Sequence, residues 1–500
     1  NDTDGHETES ASASPRDVLC SRPVRAILSF LAFAVLLDGV PRMKRWHLFG
    51  VEPPGQSAQP PQSTPASPLS IGETSLKEES QTSDDGRAES EASHATSAAR
   101  GPIAKAEVND APLINVDTKA PPIAIEDPSG RALVPFFSRL SATMAKQSGA
   151  ITRIVHFGDS VVASDYVSGT LRRRFQEQFG DSGHGFTLLA NAWPAYFHEG
   201  VTRFATSGWL ISRVVGPLAD DGWHGLGGVS FKAPPHLLAR IGTAKKGDVG
   251  RKVSRFVLMY VESPDGGMVN IKLDGVAQSA LDTSGSKKQF RTSTYSAPDG
   301  EHELELQTVK GTSRFFGVVL ERDQPGVVLD AIGIQGARIR FLDKQDDAHY
   351  KEQLLWRDPA LVIYQFGANE SADGYAYSMA DYHQTMKAVV EQQRAALPNA
   401  SCLILGAMDR ATRKGDEIRS LTIIPLLVAQ QRKVAFEVGC AFFDTFRAMG
   451  GPGSMPNWFR RDLGQSDLTH PTAVGAEVIG NWIYRALMQA GKGQAVTVAQ

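Results

Sequence analysis

Between about Leu188 and Gln324 the chain keeps a two-residue hydrophobic period, while on either side it alternates short apolar runs with helical spacing. Alternating runs recur at Phe256 to Val261, Met268 to Leu273, Gln289 to Tyr295, Glu303 to Val309 and Phe315 to Leu320. Pro264-Asp265-Gly266, Asp274-Gly275 and Pro298-Asp299-Gly300 separate them. Strand side chains point alternately to opposite faces, so this pattern with turn residues between the runs predicts an antiparallel β-sandwich. Before it come a helical segment from Ala132 to Met144, a strand from Ile151 to Phe157 and an amphipathic helix from Tyr166 to Phe179. After it, strands at Val327 to Ile334, Leu361 to Phe366, Cys402 to Leu405 and Ala441 to Phe443 alternate with helices. Those helices are read at Tyr350 to Trp356, Met379 to Leu397, about Glu417 to Val438 and about Thr472 to Ala490. Such an alternation predicts an α/β domain with a parallel sheet covered on both faces. The sandwich therefore interrupts that domain after its first strand and helix.

The expected organisation is an N-terminal segment 1–48, a linker 49–120, a discontinuous α/β domain 121–187 and 325–495, and an all-β insertion 188–324. Ala26 to Leu37 is an uninterrupted apolar run flanked by Arg22, Arg25, Arg42, Lys44 and Arg45. It is short for a bilayer span and fits the core of an export signal or a short anchor, so residues 26–40 are a candidate membrane tether. The linker is rich in Pro, Ser, Ala and Glu with few large apolar residues; such a stretch cannot bury a core and is expected to be disordered. A formal net charge of -3 gives no field favouring nucleic acid, which is excluded as a partner. The three cysteines, Cys20, Cys402 and Cys440, form no disulfide framework or zinc-ligand spacing. They are expected to act as small buried apolar residues, silent on redox compartment.

A serine hydroxyl is a poor nucleophile unless a base takes its proton, and that base works best when a carboxylate holds its tautomer. Ser160 stands in Gly158-Asp159-Ser160, where a strand hands over to a helix, on the side of an open α/β sheet where ligands bind. His470 stands just before the last helix in Asp467-Leu468-Thr469-His470-Pro471. A turn can bring the Asp467 carboxylate back onto Nδ1 of His470 and leave Nε2 free to face Ser160. Acyl transfer also needs donors aimed at the oxyanion, each worth roughly 3–4 kcal/mol. The candidates are the backbone N–H of Ser160, that of Gly336 and the side chain of Asn369, with Gly333 close enough to compete with Gly336.

These four motifs, in this order and at these strand ends, resemble the conserved blocks of the SGNH (GDSL-like) hydrolases, over about residues 150–186 and 326–490. Val161 departs from the usual Leu, and Glu370 from the Asp that commonly follows the third-block Asn. The resemblance implies a flavodoxin-like three-layer fold and a serine esterase needing no cofactor and no metal. An inserted sandwich with an N-terminal membrane signal is similar to envelope peptidoglycan O-acetylesterases, whose insertions resemble carbohydrate-binding modules. By that likeness the partner is an acylated polysaccharide of the cell envelope, and the enzyme is exported. The same triad would serve a polysaccharide O-acetyltransferase, and a non-catalytic glycan-binding role for the insertion stands as a different class of reading.

His184, Trp193, Tyr196, His198, Trp209, Trp223 and His224 cluster between the first motif and the insertion, with Asp165 and Asp181 nearby. They are read either as the lining of a sugar cleft or as packing between domains. No spacing among the histidines resembles a metal-ligand pair. Arg172, Arg173 and Arg174 are expected to form a solvated helix face.

Overall fold

The computed structural model describes residues 123–497 apart from 195 and 248. The 26–40 and 49–120 segments lie outside the described residues. Helix α1 (Val134–Met144) has Pro135 in its first turn, where a missing N–H costs nothing, and leads into β1 (Ile151–Gly158). A short helix α2 (Ser160–Ala163) and α3 (Tyr166–Phe179) follow, divided by Asp165 in the left-handed region.

The chain then enters the sandwich through β2 (Gly185–Thr187), β3 (Val201–Ala205), β4 (Leu210–Arg213), β5 (Val229–Ala233) and β6 (Leu238–Thr243). It continues as β7 (Val253–Glu262), β8 (Met268–Leu273), β9 (Val276–Ala277), β10 (Leu281–Asp282), β11 (Gln289–Gly300), β12 (Glu303–Lys310) and β13 (Ser313–Glu321). These pair into two sheets, β10-β8-β12-β6-β3 with β9 on β8, and β11-β7-β13-β5-β4 with β2 on β13; the ladders are antiparallel. The sandwich thus begins at Gly185, and the strands before Val253 add to those legible from alternation. They are short, and Gly, Pro and Trp break their period.

The α/β domain resumes with β14 (Gly326–Gly333), α4 (Asp347–Arg357), β15 (Leu361–Gln365), α5 (Met379–Ala396) and β16 (Ser401–Leu405). A hairpin of β17 (Ala411–Lys414) and β18 (Glu417–Ser420) precedes α6 (Ile424–Glu437), β19 (Ala441–Phe443), α7 (Thr445–Met449), α8 (Ser454–Arg460) and α9 (Ala473–Thr497). The helix expected from Glu417 therefore starts later. Gly415, at φ +61°, turns the chain so that Glu417–Ser420 pairs back on Ala411–Lys414, and Pro425 opens α6.

The five-stranded sheet runs β14-β1-β15-β16-β19, all parallel. Its strands are buried and face two separate cores, as a three-layer fold requires. Ile154 and Ile363 join Phe136, Leu171, Phe175 and Trp482 on the side of α1, α3 and α9. Val155, Phe157 and Tyr364 join Tyr350, Met386 and Leu427 of α4, α5 and α6, and that core is continuous with the interior of the sandwich. The period of two in β1 thus separates Ile154 from its neighbour Val155.

A buried ion network ties sheet to sandwich. Arg357 on α4 bonds Asp330 on β14 and Glu321 on β13, each at 2.5 Å, and Glu321 also accepts from Arg153 of β1 at 2.9 Å. Two expectations are corrected. Arg172 is not on a solvated face: its side chain is wholly buried and forks onto the equally buried Asp165 at 2.8–3.0 Å. An unpaired buried charge would be costly, so the Asp165 carboxylate is what lets Arg172 point inward. Cys402 and Cys440 are buried as expected but are joined by a disulfide. They sit side by side at the N-terminal ends of the adjacent parallel strands β16 and β19, where Leu403 pairs with Ala441. A crossover of 38 residues hides that neighbourhood in the sequence.

Candidate active site

β1 ends at Gly158 because nothing larger fits: a Cβ there would lie 2.4 Å from Val162 Cγ2 and 2.7 Å from the Gln365 carbonyl oxygen. Asp159, nearly fully buried, caps α2 by accepting from the Val161 N–H at 3.0 Å. Ser160 follows at the C-terminal edge of the sheet. Its N–H lies in the first turn of α2, where helical N–H groups have no intrahelical acceptor.

The Ser160 hydroxyl lies 2.7 Å from His470 Nε2. On the other side of the ring, His470 Nδ1 lies 2.5 Å from Asp467 Oδ2, while Asp467 Oδ1 accepts from the backbone N–H of Thr469 at 2.9 Å and of His470 at 3.0 Å. This tight return needs Leu468 at φ +58°, and Leu468 is held there with its side chain buried. Its carbonyl accepts from Ala411 N at 2.9 Å, and Gln465 N donates to the His470 carbonyl at 2.8 Å. Burial disfavours the imidazolium, but the hydrogen bond and charge of Asp467, helped by the charge of Asp159, hold the His470 pKa above its ordinary value. Burial likewise opposes ionisation of Asp467, and the bond to His470 outweighs it to keep that carboxyl below its usual range. Both side chains keep over a quarter of their surface exposed, so the array is open to a substrate.

The expected oxyanion donors come from the next two strand ends. Gly336 turns the chain after β14 at φ +77°, which favours glycine. Gly333, its competitor, has a different job: it faces Gly158 across the sheet, and a Cβ on it would fall 1.9 Å from the Ala163 nitrogen. Asn369, after β15, is buried and donates one Nδ2–H to the Ala337 carbonyl at 2.9 Å. An amide NH₂ carries two donors, so one remains for a ligand. Glu370 is fully buried with one oxygen accepting from Ile339 N at 2.9 Å, and burial, with the Asp159 charge adding, pushes its pKa up to about 7. Asn369 and Glu370 thus clamp the loop that carries Gly336, and Arg338 reinforces it by pairing with Asp373 at 2.7 Å.

Arg410, which the sequence reading passed over, bridges two of these segments. It donates to the Ala368 carbonyl at 2.5 Å, to Ser371 Oγ at 3.0 Å and to Thr469 Oγ1 at 2.9 Å. The available signal was Asp409-Arg410 just beyond a parallel strand, at the sheet edge where ligands bind.

The aromatic and histidine cluster resolves toward packing. His184, Trp193, Tyr196, His198, Trp209 and His224 are buried, and Trp223 stacks on His349 with ring centroids 4.1 Å apart. Among the described residues no group of three or more His, Cys, Asp or Glu could hold a metal, and no helix is long and apolar enough to cross a membrane.

A parallel sheet interrupted by a sandwich, with this serine at its first strand end, is the fold of an SGNH hydrolase, and the enzyme is a carboxylic ester hydrolase. Residues 293–478 match the GDSL-like lipase/acylhydrolase family. That match begins within the insertion, beyond Ser160. No curated protein matches the chain. Among solved structures, it is similar to a peptidoglycan O-acetylesterase with a TM-score of 0.63 and 22% identity, over 74% of this chain and 99% of that one. A family two carbohydrate esterase from Cellvibrio japonicus gives a TM-score of 0.24 and 13% identity over 58% of this chain and 98% of its own. That likeness is too slight to bear on the fold.

Proposed function

We propose that this enzyme removes O-acetyl groups from a polysaccharide of the cell envelope through an acyl-enzyme on Ser160. The observation that carries the reading is the unbroken hydrogen-bond chain from Ser160 Oγ through His470 to Asp467. His470 Nε2 takes the hydroxyl proton as Ser160 Oγ bonds to the ester carbonyl carbon. The oxyanion is stabilised by the N–H groups of Ser160 and Gly336 and by Asn369 Nδ2. Collapse breaks the bond to the sugar oxygen, which leaves with the proton from His470. Water then adds to the acyl-enzyme with His470 again as base, releasing acetate and restoring Ser160. Asp467 holds the ring in the tautomer that leaves Nε2 free and stabilises the imidazolium.

The acetyl-polysaccharide substrate is supported by likeness of fold to the peptidoglycan esterase. Export is supported by the apolar run at 26–37 and by the Cys402–Cys440 disulfide, since disulfides persist in oxidising compartments. The test is hydrolysis of chromogenic acetyl and longer-acyl esters, and of O-acetylated peptidoglycan, by the full chain beside Ser160→Ala. Acetate release lost in the variant supports the reading; release that persists in it, or none from any ester, overturns it.

A further inference from the structure

Beyond β16 the chain passes through Asp409 and Arg410 before it enters the β17–β18 hairpin, and the Arg410 guanidinium reaches the residue that precedes each of two site residues. Nη1 donates to the carbonyl of Ala368, just before Asn369, at 2.5 Å, and to Ser371 Oγ at 3.0 Å. Nε donates to Oγ1 of Thr469, just before His470, at 2.9 Å. A peptide group is planar, so a bond to the Ala368 oxygen also holds the plane from which Asn369 departs. With Nδ2 tied to the Ala337 carbonyl at 2.9 Å, Asn369 is fixed at both its backbone and its side chain. Thr469 passes the other contact on: its N–H donates to Asp467 Oδ1 at 2.9 Å and its hydroxyl to the Asp467 carbonyl at 3.2 Å. Arg410 is itself anchored. Its carbonyl accepts from Leu421 N at 2.7 Å, and Ala411 N donates to the Leu468 carbonyl at 2.9 Å. The neighbouring Asp409 carboxyl, fully buried, accepts from Ser420 Oγ at 2.7 Å and from Met455 N at 2.8 Å.

We propose that Arg410 is a positioning residue for the reaction at Ser160, its one rigid guanidinium holding the Asn369 turn and the Asp467–His470 turn in register so that oxyanion donor and base address the same carbonyl. The inference rests on the esterase reading and adds to it a residue outside the strand-end motifs. The Asp467–His470 turn is closed by its own hydrogen bonds, and Asn369 follows a different strand, β15. Each can be correct by itself and still be misplaced against the other, and a misplacement of about 1 Å can cost about 10²-fold in rate. A guanidinium suits the task because its donors diverge in a fixed plane, whereas a lysine ammonium is a single point of charge on a flexible stem. Arg410 also acts on His470 through its charge. Asp467 on the ring's own turn and Asp159 ahead of α2 favour the imidazolium, and Arg410 beyond β16 opposes it. Position and charge thus leave separate signatures.

The test is the pH profile of chromogenic acetyl ester hydrolysis by the full chain, beside Arg410→Ala, Arg410→Lys, and Arg410→Ala combined with Asn369→Ala. Arg410→Ala should lower kcat by about 10²-fold with KM little changed, and should move the acidic limb of kcat/KM upward, because a cation facing His470 is gone. Arg410→Lys keeps the charge without the fork, so its limb should stay near that of the natural enzyme while kcat remains low. In the Asn369→Ala background, loss of Arg410 should cost much less than in the natural enzyme, since the donor it positions is already missing. Should Arg410→Ala lose its native melting transition, Thr469→Val, which removes only the Nε acceptor, should lower kcat and leave KM. A loss confined to KM, full recovery of kcat in Arg410→Lys, strictly additive losses with Asn369→Ala, or native kcat in a natively melting Arg410→Ala or Thr469→Val would overturn the proposal while the esterase reading stands. A natural enzyme that hydrolyses no ester would overturn both.

Discussion

The Asp467 carboxylate grips His470 twice, at Nδ1 from one oxygen at 2.5 Å and at the backbone N–H from the other at 3.0 Å. The second contact fixes the start of the chain's last turn before α9, so one side chain sets both the tautomer and the position of the ring. On the proposed chemistry, Asp467→Asn should lower kcat by about 10⁴-fold, as in other triads.

The same pair sets a pH dependence. His470 must be neutral to act as base and its pKa is raised above 6.5, so the acidic limb of kcat/KM should titrate above that value. Asp467→Asn should move the limb downward. For stability the signs are opposite at the two ends: the raised His470 contribution fades as pH climbs through its folded pKa. The lowered Asp467 contribution fades as pH falls through its own. A limb at or below 6.5 in the natural enzyme would contradict this account.

Asn369 has one N–H on Ala337, and the proposed mechanism gives the other to the oxyanion. Asn369→Ala should cost about 10²–10³-fold in kcat with little change in KM, because the missing bond is made chiefly in the transition state. A loss confined to KM, measured with the acetyl ester, would instead assign Asn369 to ground-state binding.

Glu370 titrates near 7 in the fold against 4.5 in an unfolded chain, so the native state holds the extra proton between those values. Stability should therefore fall as pH rises from about 4.5 to 7, by about 3 kcal/mol at the upper end. Glu370→Gln keeps an acceptor for Ile339 N and removes the titration. Chemical denaturation should find the variant more stable than the natural enzyme at pH 8 and equal to it near pH 4.5.

The Cys402–Cys440 bond closes a loop of 38 residues, worth about 4 kcal/mol by chain entropy. Cys402→Ser with Cys440→Ser should lower the melting temperature by a few degrees, while acetyl ester turnover at 25 °C persists, since the bond lies at the N-terminal ends of the strands, away from Ser160.

What the sequence made legible was local. Asp467 to His470 is a single turn, and Gly158-Asp159-Ser160 a single strand end, so spacing alone exposes both. The long helices and the longer strands have clean periods for the same reason. What it hid depends on distant neighbours. Arg172 lies in a run of three arginines that look alike, and only the pairing with the Asp165 carboxylate marks the one that faces inward. Arg410 earns its place by touching Ala368 and Thr469, which no window around it contains. The β17–β18 hairpin reads as helix because Glu417 to Val438 has helical spacing until Gly415 and Pro425 are weighed together.

β13 ends at Glu321 and β14 begins at Gly326, so the sandwich hands its chain straight to the edge of the parallel sheet. β1, made early, finds β14 only after the whole insertion has been synthesised, and its serine meets His470 later still. Pairings so remote along the chain are slow to close. On the proposed chemistry the hydrolase is consequently silent through its own biogenesis: a polypeptide cut short before His470 would carry Ser160 with no base to take its proton.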